Sequence, residues 1–461
     1  MNALMKWIEK YLLPVAGRIG SQKHLVALRD AFIGVLPATM AGSIAVLLNA
    51  FVRDFPTEMG LTGFVSAMQP IIAINGLVWQ ATLAILAVIF SFSLGYQLAK
   101  IYDVDPLSGG VVSLAAFFVG LPATATASVT LTEALPQNII SAITEAGGTI
   151  TEVAEGAKIS LGAWGFFDFG TYMGGRGLFA AIIFGFISTI IFSKLMLRKI
   201  TIKLPDSVPP AVSKAFAAII PGLVGIYAVA ILCYIVEKIT GKFFVDLISE
   251  LIQAPLLKLS QGYGAVLIIV LLVHILWFFG LHGTNILGPV LQSVYGTTMN
   301  ANMLAFESGE ALPYKWTSGS FDAFSWLGGA GVTLALVIGL LFVSKREDHK
   351  AVGKLGIGPA IFNINEPVMF GLPIVLNPIF FIPYILAPIV STTIAYVATV
   401  VGFMNPTRVN VLWIMPPILS GFLATGLDWR AIIVGIVCLA ASFGIYLPFV
   451  MAANRMEEKN D

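Results

Sequence analysis

Long apolar runs recur along the chain, separated by short clusters of charge. Ten fall near 25–51, 71–98, 106–122, 161–193, 215–236, 262–281, 323–344, 379–403, 411–427 and 431–452. Each approaches or exceeds the roughly 20 residues that carry a helix across a bilayer. The run 215–236 holds no charged residue over 22 positions. Two stretches pattern differently. Residues 1–24 place Lys6, Lys10 and Arg18 among Trp7, Ile8, Tyr11 and Leu12, and residues 239–260 mix Lys242, Asp246, Glu250 and Lys258 with apolar positions and a turn at Pro255. Both suit helices lying in the membrane surface. The pattern predicts an all-α polytopic membrane protein of about ten transmembrane helices with re-entrant hairpins and interfacial amphipathic helices.

Two of the apolar regions are interrupted. One reads Trp277-Phe-Phe-Gly-Leu-His-Gly-Thr-Asn285, with Gly288 and Pro289 beyond it. The other is Asn363-Ile-Asn-Glu-Pro-Val-Met-Phe-Gly-Leu-Pro-Ile-Val-Leu-Asn-Pro378, where Glu366 is flanked by amides and followed by repeated helix breakers. Irregular backbone at membrane depth is tolerated only inside protein or beside a wet cavity, and broken helices are where transporters place substrate. A carboxylate there is costly and marks a functional site. Because both breaks fall late in the chain, residues 1–240 are expected to form a dimerisation half and 241–461 a substrate-binding half.

Composition agrees with the membrane reading. The chain has 461 residues, 57% hydrophobic and 11% charged, with mean hydropathy +0.90. A soluble domain carries roughly a quarter charged residues. A net charge of +1 gives no basic field for nucleic acid. Basic segments near 1–29, 194–203 and 345–354 mark the cytoplasmic side, with both termini there. Residues 123–160, with Glu133, Glu145, Glu152 and Glu155 against Lys158, read as an outside loop whose opening suits a β-hairpin or turn, and 296–322 reads as a soluble-looking piece. Cys233 and Cys438 lie in apolar runs without metal or redox spacing, so no metal or cofactor is expected. Asp168 and Arg176 are a candidate pair.

The embedded polar groups suit a polyhydroxylated ligand. His282 and Glu366 can each bond a sugar hydroxyl, and Asn285, Asn363 and Asn365 donate and accept at once. Trp277 and Trp413 offer flat faces for a pyranose, or stand as interfacial aromatics. His274, mid-run and without a glycine break, reads as packing.

These strings resemble a known family. Asn363-Ile-Asn-Glu-Pro-Val-Met-Phe-Gly-Leu-Pro, Gly280-Leu-His-Gly and Asp105-Pro-Leu-Ser are similar to the lactose/cellobiose/diacetylchitobiose branch of phosphotransferase-system enzyme II, C component, over essentially the whole chain. The resemblance implies a homodimeric bacterial cytoplasmic-membrane permease. Its sugar is phosphorylated at the 6-hydroxyl while bound, by a phosphocysteine on a cytosolic B component (EIIB). It implies that Glu366 and His282 contact that hydroxyl and that Trp277 and Trp413 answer to stacking positions. Gly174-Gly-Arg-Gly177 departs from the family string, with Arg176 where Lys is expected. Lactose members often carry a fused B domain, whereas this chain stops at Asp461, which favours a β-linked disaccharide such as cellobiose or diacetylchitobiose. The rival reading is a proton-coupled transporter that leaves the sugar unmodified.

Overall fold

The computed structural model describes residues 21–131, 136–153, 156–165, 172–205, 207–372, 374–375 and 377–457. Most of the surface stretch expected at 1–24, Asp168 of the candidate pair, and the last residues of the tail lie outside them. The described residues are helical apart from one three-stranded antiparallel sheet. Two compact units emerge, one of Met1–Ile89 with Leu251–Asp461 and one of Phe90–Glu250. Packing thus groups residues 1–89 with the C-terminal part, whereas the expected halves divide at residue 240.

The first unit begins with α1 (Lys23–Gly34) and α2 (Leu36–Asn49), parted at Val35 because Pro37 sits in the first turn of α2 and cannot continue a helix. The run expected at 25–51 is therefore two helices. α2 extends through a π-helical turn at Ala50–Asp54, where Arg53 reaches Glu307 at 3.2 Å. α3 (Gln69–Gln80) follows, and its buried Asn75 donates to Asn49 Oδ1 at 2.9 Å. α4 (Leu86–Ile101) leads into the second unit.

There α5 (Pro106–Val119) starts where Asp105 Oδ2 accepts from the Ser108 amide at 2.9 Å, with proline in the first turn. The Asp-Pro-Leu-Ser string is thus a helix start. The sheet has the order β1 (Thr124–Leu131), β3 (Gly156–Trp164), β2 (Thr149–Val153), with Ser128 opposite Ser160 and Thr149 opposite Ser160. α6 (Gln137–Glu145) bridges β1 and β2. The expected membrane run from 161 is corrected: its start belongs to β3, and the helix, α7 (Leu178–Leu197), begins later. Thr and Ala alternating over 124–128 favour extended backbone. α8 (Pro210–Thr240) closes the unit, buried at Gly222 and Gly225 but exposed at Leu223, Tyr227 and Ile231.

The first unit resumes with α9 (Ala254–Ser260), where Pro255 lies in the first helical turn rather than at the expected bend. α10 (Tyr263–Phe278) meets the preceding helical stretch at 77°. α11 (Thr297–Glu307) corrects the soluble-looking segment. Met299, Asn302, Met303, Trp316 and Phe321 are all buried there. Its polar groups bond internally: Asn302 Nδ2 donates to the Tyr314 and Thr407 carbonyls at 2.8 and 2.9 Å, and Thr317 Oγ1 lies 2.6 Å from Thr407 Oγ1. Satisfied polar groups can be buried, so polarity alone misled.

α12 (Thr333–Phe342) is shorter than the expected 323–344, because Gly328, Gly329 and Gly331 hold positive φ before it. α13 (Glu347–Ile361) is followed by α14 (Glu366–Gly371), which Glu366 begins, and by α15 (Pro378–Val400). The run expected at 411–427 is helical only in α16 (Leu419–Ala424), and α17 (Trp429–Glu457) packs on α15 and α12. Among the described residues six helices are long and apolar enough to cross a membrane, or seven with the bent pair as one, where ten runs were expected. α5 and α12, of 14 and 10 residues, account for part of the difference.

Candidate functional site

The two interrupted stretches both lie in the first unit, and each break has a local cause. α10 ends at Gly280, whose φ of +79° reverses the chain, with its amide on the Trp277 carbonyl at 2.9 Å and the Leu281 amide on the Leu276 carbonyl at 3.0 Å. Glycine takes this conformation without strain. His282 then caps the short helix Gly283–Ile286, its Nδ1 accepting from the Asn285 amide at 3.3 Å and lying 3.0 Å from Thr284 Oγ1. The imidazole and Asn285 remain exposed.

α13 ends in the same manner. The Asn363 amide bonds the Ala360 carbonyl at 3.1 Å and the Ile364 amide the Pro359 carbonyl at 3.0 Å, with Asn363 left-handed at φ +59°. Asparagine tolerates that region better than other non-glycine residues. Its side chain then holds three strands of chain together. Oδ1 accepts from the Gly328 amide at 2.8 Å, and Nδ2 donates to the Trp413 and Met415 carbonyls at 2.6 and 2.9 Å. Asn365 donates to the Ala330 carbonyl at 3.1 Å, and its own carbonyl receives the Val368 and Met369 amides. Both amides are buried. Glu366 opens α14 half-buried, with Pro367 behind it. A carboxylate in a first turn suits the helix dipole, and proline there sacrifices no bond.

The structure brings the two breaks together. The His282 ring and the Glu366 carboxylate lie within electrostatic reach of one another, and Gly280 approaches Val375. Trp277 meets the His282 ring at 4.3 Å between centroids and is buried, its Nε1 without a partner. Trp413 has its ring 56% exposed, so of the two indoles it offers the open face. Between Trp413 and Gly319 is a gap of about 10 Å³, lined also by Asp322 and by Ser420, whose buried Oγ has no partner. That is roughly the space of one water. His274, expected as packing, is fully buried between Trp326 and Tyr384, with Nδ1 2.6 Å from the Val270 carbonyl.

One part of the scaffold was not singled out from sequence: Gly328-Gly-Ala-Gly331. A Cβ on Gly329, at φ +95°, would stand 2.7 Å from Asn365 Cβ and 2.9 Å from the Asn363 carbonyl. Three glycines in four residues ahead of an apolar run were the available signal. Among the described residues no group of three or more His, Cys, Asp or Glu side chains is placed to hold a metal.

The arrangement is a carboxylate and an imidazole within electrostatic reach, an exposed indole and amides committed to holding the loops. Comparison with known proteins places it. The family profile described as Phosphotransferase system, EIIC matches residues 29–388. The chain is 44% identical to the PTS system cellobiose-specific EIIC component of Lactococcus lactis subsp. lactis (strain IL1403), over 99% of each chain. It is 36% identical to the lichenan permease IIC component of Bacillus subtilis (strain 168), over 100% of this chain and 96% of that one. The crystal structure of ChbC, the IIC transporter component of an N,N'-diacetylchitobiose-specific phosphotransferase system, superposes with a TM-score of 0.87 at 34% identity, over 99% of this chain and 100% of that one. The chain is a multi-pass bacterial membrane protein and belongs to the EIIC family of the sugar phosphotransferase system.

Proposed function

We propose that the protein binds a β-linked disaccharide, such as cellobiose or diacetylchitobiose, carries it across the cytoplasmic membrane, and presents its 6-hydroxyl to the phosphocysteine of a separate EIIB. The observation that supports this most is that His282 and Glu366, from two different helix breaks, lie within electrostatic reach of one another. Glu366 takes the hydroxyl proton as the sugar O6 attacks phosphorus. The P–S bond breaks and the cysteine leaves as a thiolate. Phosphoryl transfer depends on positioning and charge stabilisation, and a base within hydrogen-bond reach of the hydroxyl supplies the first. His282 fixes the same hydroxyl, and Trp413 carries the ring on its open face. Asn285, exposed beside His282, adds a further amide toward the sugar. Asn363 and Asn365 act by holding Trp413 and Glu366 in place, and Trp277 by backing the His282 ring. The similarity to a cellobiose-specific and a diacetylchitobiose-specific component supports the β-linked class. Homodimer contacts fall to the exposed apolar face of α8, within residues 1–240, and sugar contacts to 241–461. Both termini face the cytoplasm.

The test uses membrane vesicles carrying the protein, labelled cellobiose, the general phosphotransferase proteins, phosphoenolpyruvate, and matched A and B components added or withheld. Sugar phosphate that requires the B component is the expected product. Free sugar accumulating without the B component and discharged by collapse of the proton gradient would overturn the proposal.

A further inference from the structure

A second cavity, of mixed polar and apolar lining that includes Val352, Ile379 and Phe380, lies at the other end of the helix that Glu366 begins. It measures about 230 Å³ and is lined by Arg346, Asp348 and His349 at the start of α13, by Gly371 and Leu372 at the end of α14, and by Asn377 before α15. α14 spans roughly 9 Å at 1.5 Å per residue, so the cavity is separate from the Glu366 site yet shares an element with it.

Its lining is unusual for a space between helices. His349 is only 7% exposed, and its buried Nδ1 has no hydrogen-bond partner. A buried polar atom left unmatched is expensive, and the residue that carries it is among those lining the cavity. Arg346 presents a planar fork here. It is engaged by Asp348, with Nε 3.1 Å from Oδ1 and Nη2 2.6 Å from Oδ2. The Asp348 carboxylate is itself 59% exposed. An exposed ion pair contributes little, so a better anion can displace it and leave the carboxylate solvated. The surroundings favour an anion: residues 345–354 carry Lys345, Arg346, Lys350 and Lys354 against Glu347 and Asp348. Burial holds the His349 imidazole below its usual range, so it enters as a neutral ring able to donate from Nδ1 in one tautomer.

A phosphate monoester matches this set. It carries close to two negative charges and three acceptor oxygens, and it takes the arginine fork in two parallel bonds. The volume is below the roughly 300–1,000 Å³ of sites that enclose a whole drug-sized ligand. It admits a phosphate with part of the ring that bears it. We propose that this cavity is a phosphate-monoester site bonded by Arg346 and His349, and that its occupant is the sugar phosphate released at the neighbouring Glu366 site. The occupant's identity rests on the function proposed above. Asp348 is then a built-in competitor, holding the guanidinium until the phosphate arrives. A product bound here would sit against the end of α14 and bias the Glu366 segment, giving inhibition by product.

The test is ligand-dependent thermal unfolding of the purified full-length protein in detergent, with glucose 6-phosphate, inorganic phosphate and glucose as probes. Glucose 6-phosphate is expected to raise the midpoint, inorganic phosphate to do so at about tenfold higher concentration, and glucose not to do so in that range. Arg346→Gln and His349→Gln should each raise the half-saturating glucose 6-phosphate concentration about tenfold or more, in line with loss of a charge-assisted bond. Asp348→Asn should lower it roughly threefold to tenfold, as fits removal of a weak competing pair. Stabilisation by cellobiose should be the same in all four proteins, which also shows that the variants fold. No response of the wild type to either phosphate overturns the site. So does a response unchanged in both Arg346→Gln and His349→Gln. Equal half-saturation by the two phosphates through the same residues overturns the sugar phosphate as occupant. The function proposed above is decided separately, by whether wild-type vesicles make sugar phosphate with the B component.

Discussion

The helices of the second unit and the loops around Glu366 meet the same demand, close packing in an apolar protein, by opposite means. In the second unit α4 meets α5 through Gly95 and Gly109, Ser113 Oγ bonds the Ser91 carbonyl at 2.6 Å, and α8 brings Gly225 against the Ser188 carbonyl. Small residues let backbones approach, and regular helices satisfy their own amides. Around Glu366 the backbone is irregular, and its polar groups are matched by side-chain amides: three bonds from Asn363 and one from Asn365. A small-residue seam can slide or reset with modest loss. An amide that ties three chain segments cannot be removed without freeing all of them. The first arrangement suits surfaces that pack, the second a site whose groups must stay in register.

The sharpest way to break the comparison is at the chemistry itself. Glu366→Gln keeps size and polarity but removes the base. The rate of sugar phosphorylation should fall on the order of 10²- to 10⁴-fold, while cellobiose binding to vesicles changes only a few-fold. A rate within a few-fold of wild type would remove Glu366 from the proton transfer.

Next comes the scaffold. Asn363→Ala deletes three hydrogen bonds from a buried left-handed position. It should cost on the order of 2–4 kcal/mol, since the Gly328 amide and two carbonyls lose their partner. Cellobiose affinity should fall with it, because the Trp413 backbone is released. Gly329→Ala adds a Cβ 2.7 Å from Asn365 Cβ at φ +95° and should act in the same direction. The counterpart is Gly225→Ala, whose Cβ would lie 2.7 Å from the Ser188 carbonyl oxygen. It should lower the melting temperature through strain of about 1–3 kcal/mol but leave the apparent cellobiose affinity of the folded fraction unchanged. Equal loss of affinity in Gly225→Ala and Gly329→Ala would erase the distinction between packing seam and site scaffold.

A smaller effect is expected at the indoles. Trp413→Ala should weaken cellobiose binding several-fold, and Trp413→Phe less, as a stacking face worth about 0.5–1.5 kcal/mol is lost or reduced. Trp277→Phe, at a buried ring against His282, should alter phosphorylation more than binding. Titration of labelled cellobiose against each variant separates the two roles.

Legibility of the sequence followed the same divide. Residues 215–236 were readable because an uncharged run has one stable form in a bilayer, and the structure places α8 over them. The breaks at His282 and Glu366 were readable as breaks, since glycine and proline punctuate them. What the sequence did not show was the use made of Asn363 and Asn365. An amide that bonds a ligand and one that bonds Gly328 and Trp413 look alike in one dimension. The stretch 296–322 was misread for the same reason: Asn302, Thr317 and Thr407 are polar in sequence but paired across long separations. The start of 161–193 was misassigned because β3 pairs with β1 and β2 through bonds that hydropathy does not register.

The smallest effect lies in the pH response of the charged segment 345–354. Hydrogen bonding from Arg346 holds the Asp348 carboxyl down at about 2, against roughly 3.9 in an unfolded chain. A carboxyl whose pKa is lower when folded stabilises the fold above the unfolded value, and that contribution drains away as pH falls toward the folded one. The window is therefore about pH 4 to 2. Because the carboxylate is largely exposed, solvent screening limits the contribution to a few tenths of a kcal/mol. Asp348→Asn should then melt within a degree or so of wild type at pH 7, and the two curves should converge between pH 4 and 2. The Glu366 scaffold, built from amides that do not titrate, should contribute nothing to that convergence: Asn363→Ala should stay displaced from wild type by the same amount at about pH 4 and about pH 2. A displacement that shrank over that range would mean the loops around Glu366 are held by charge after all, and the contrast between amide-tied site and ion-paired periphery would fall.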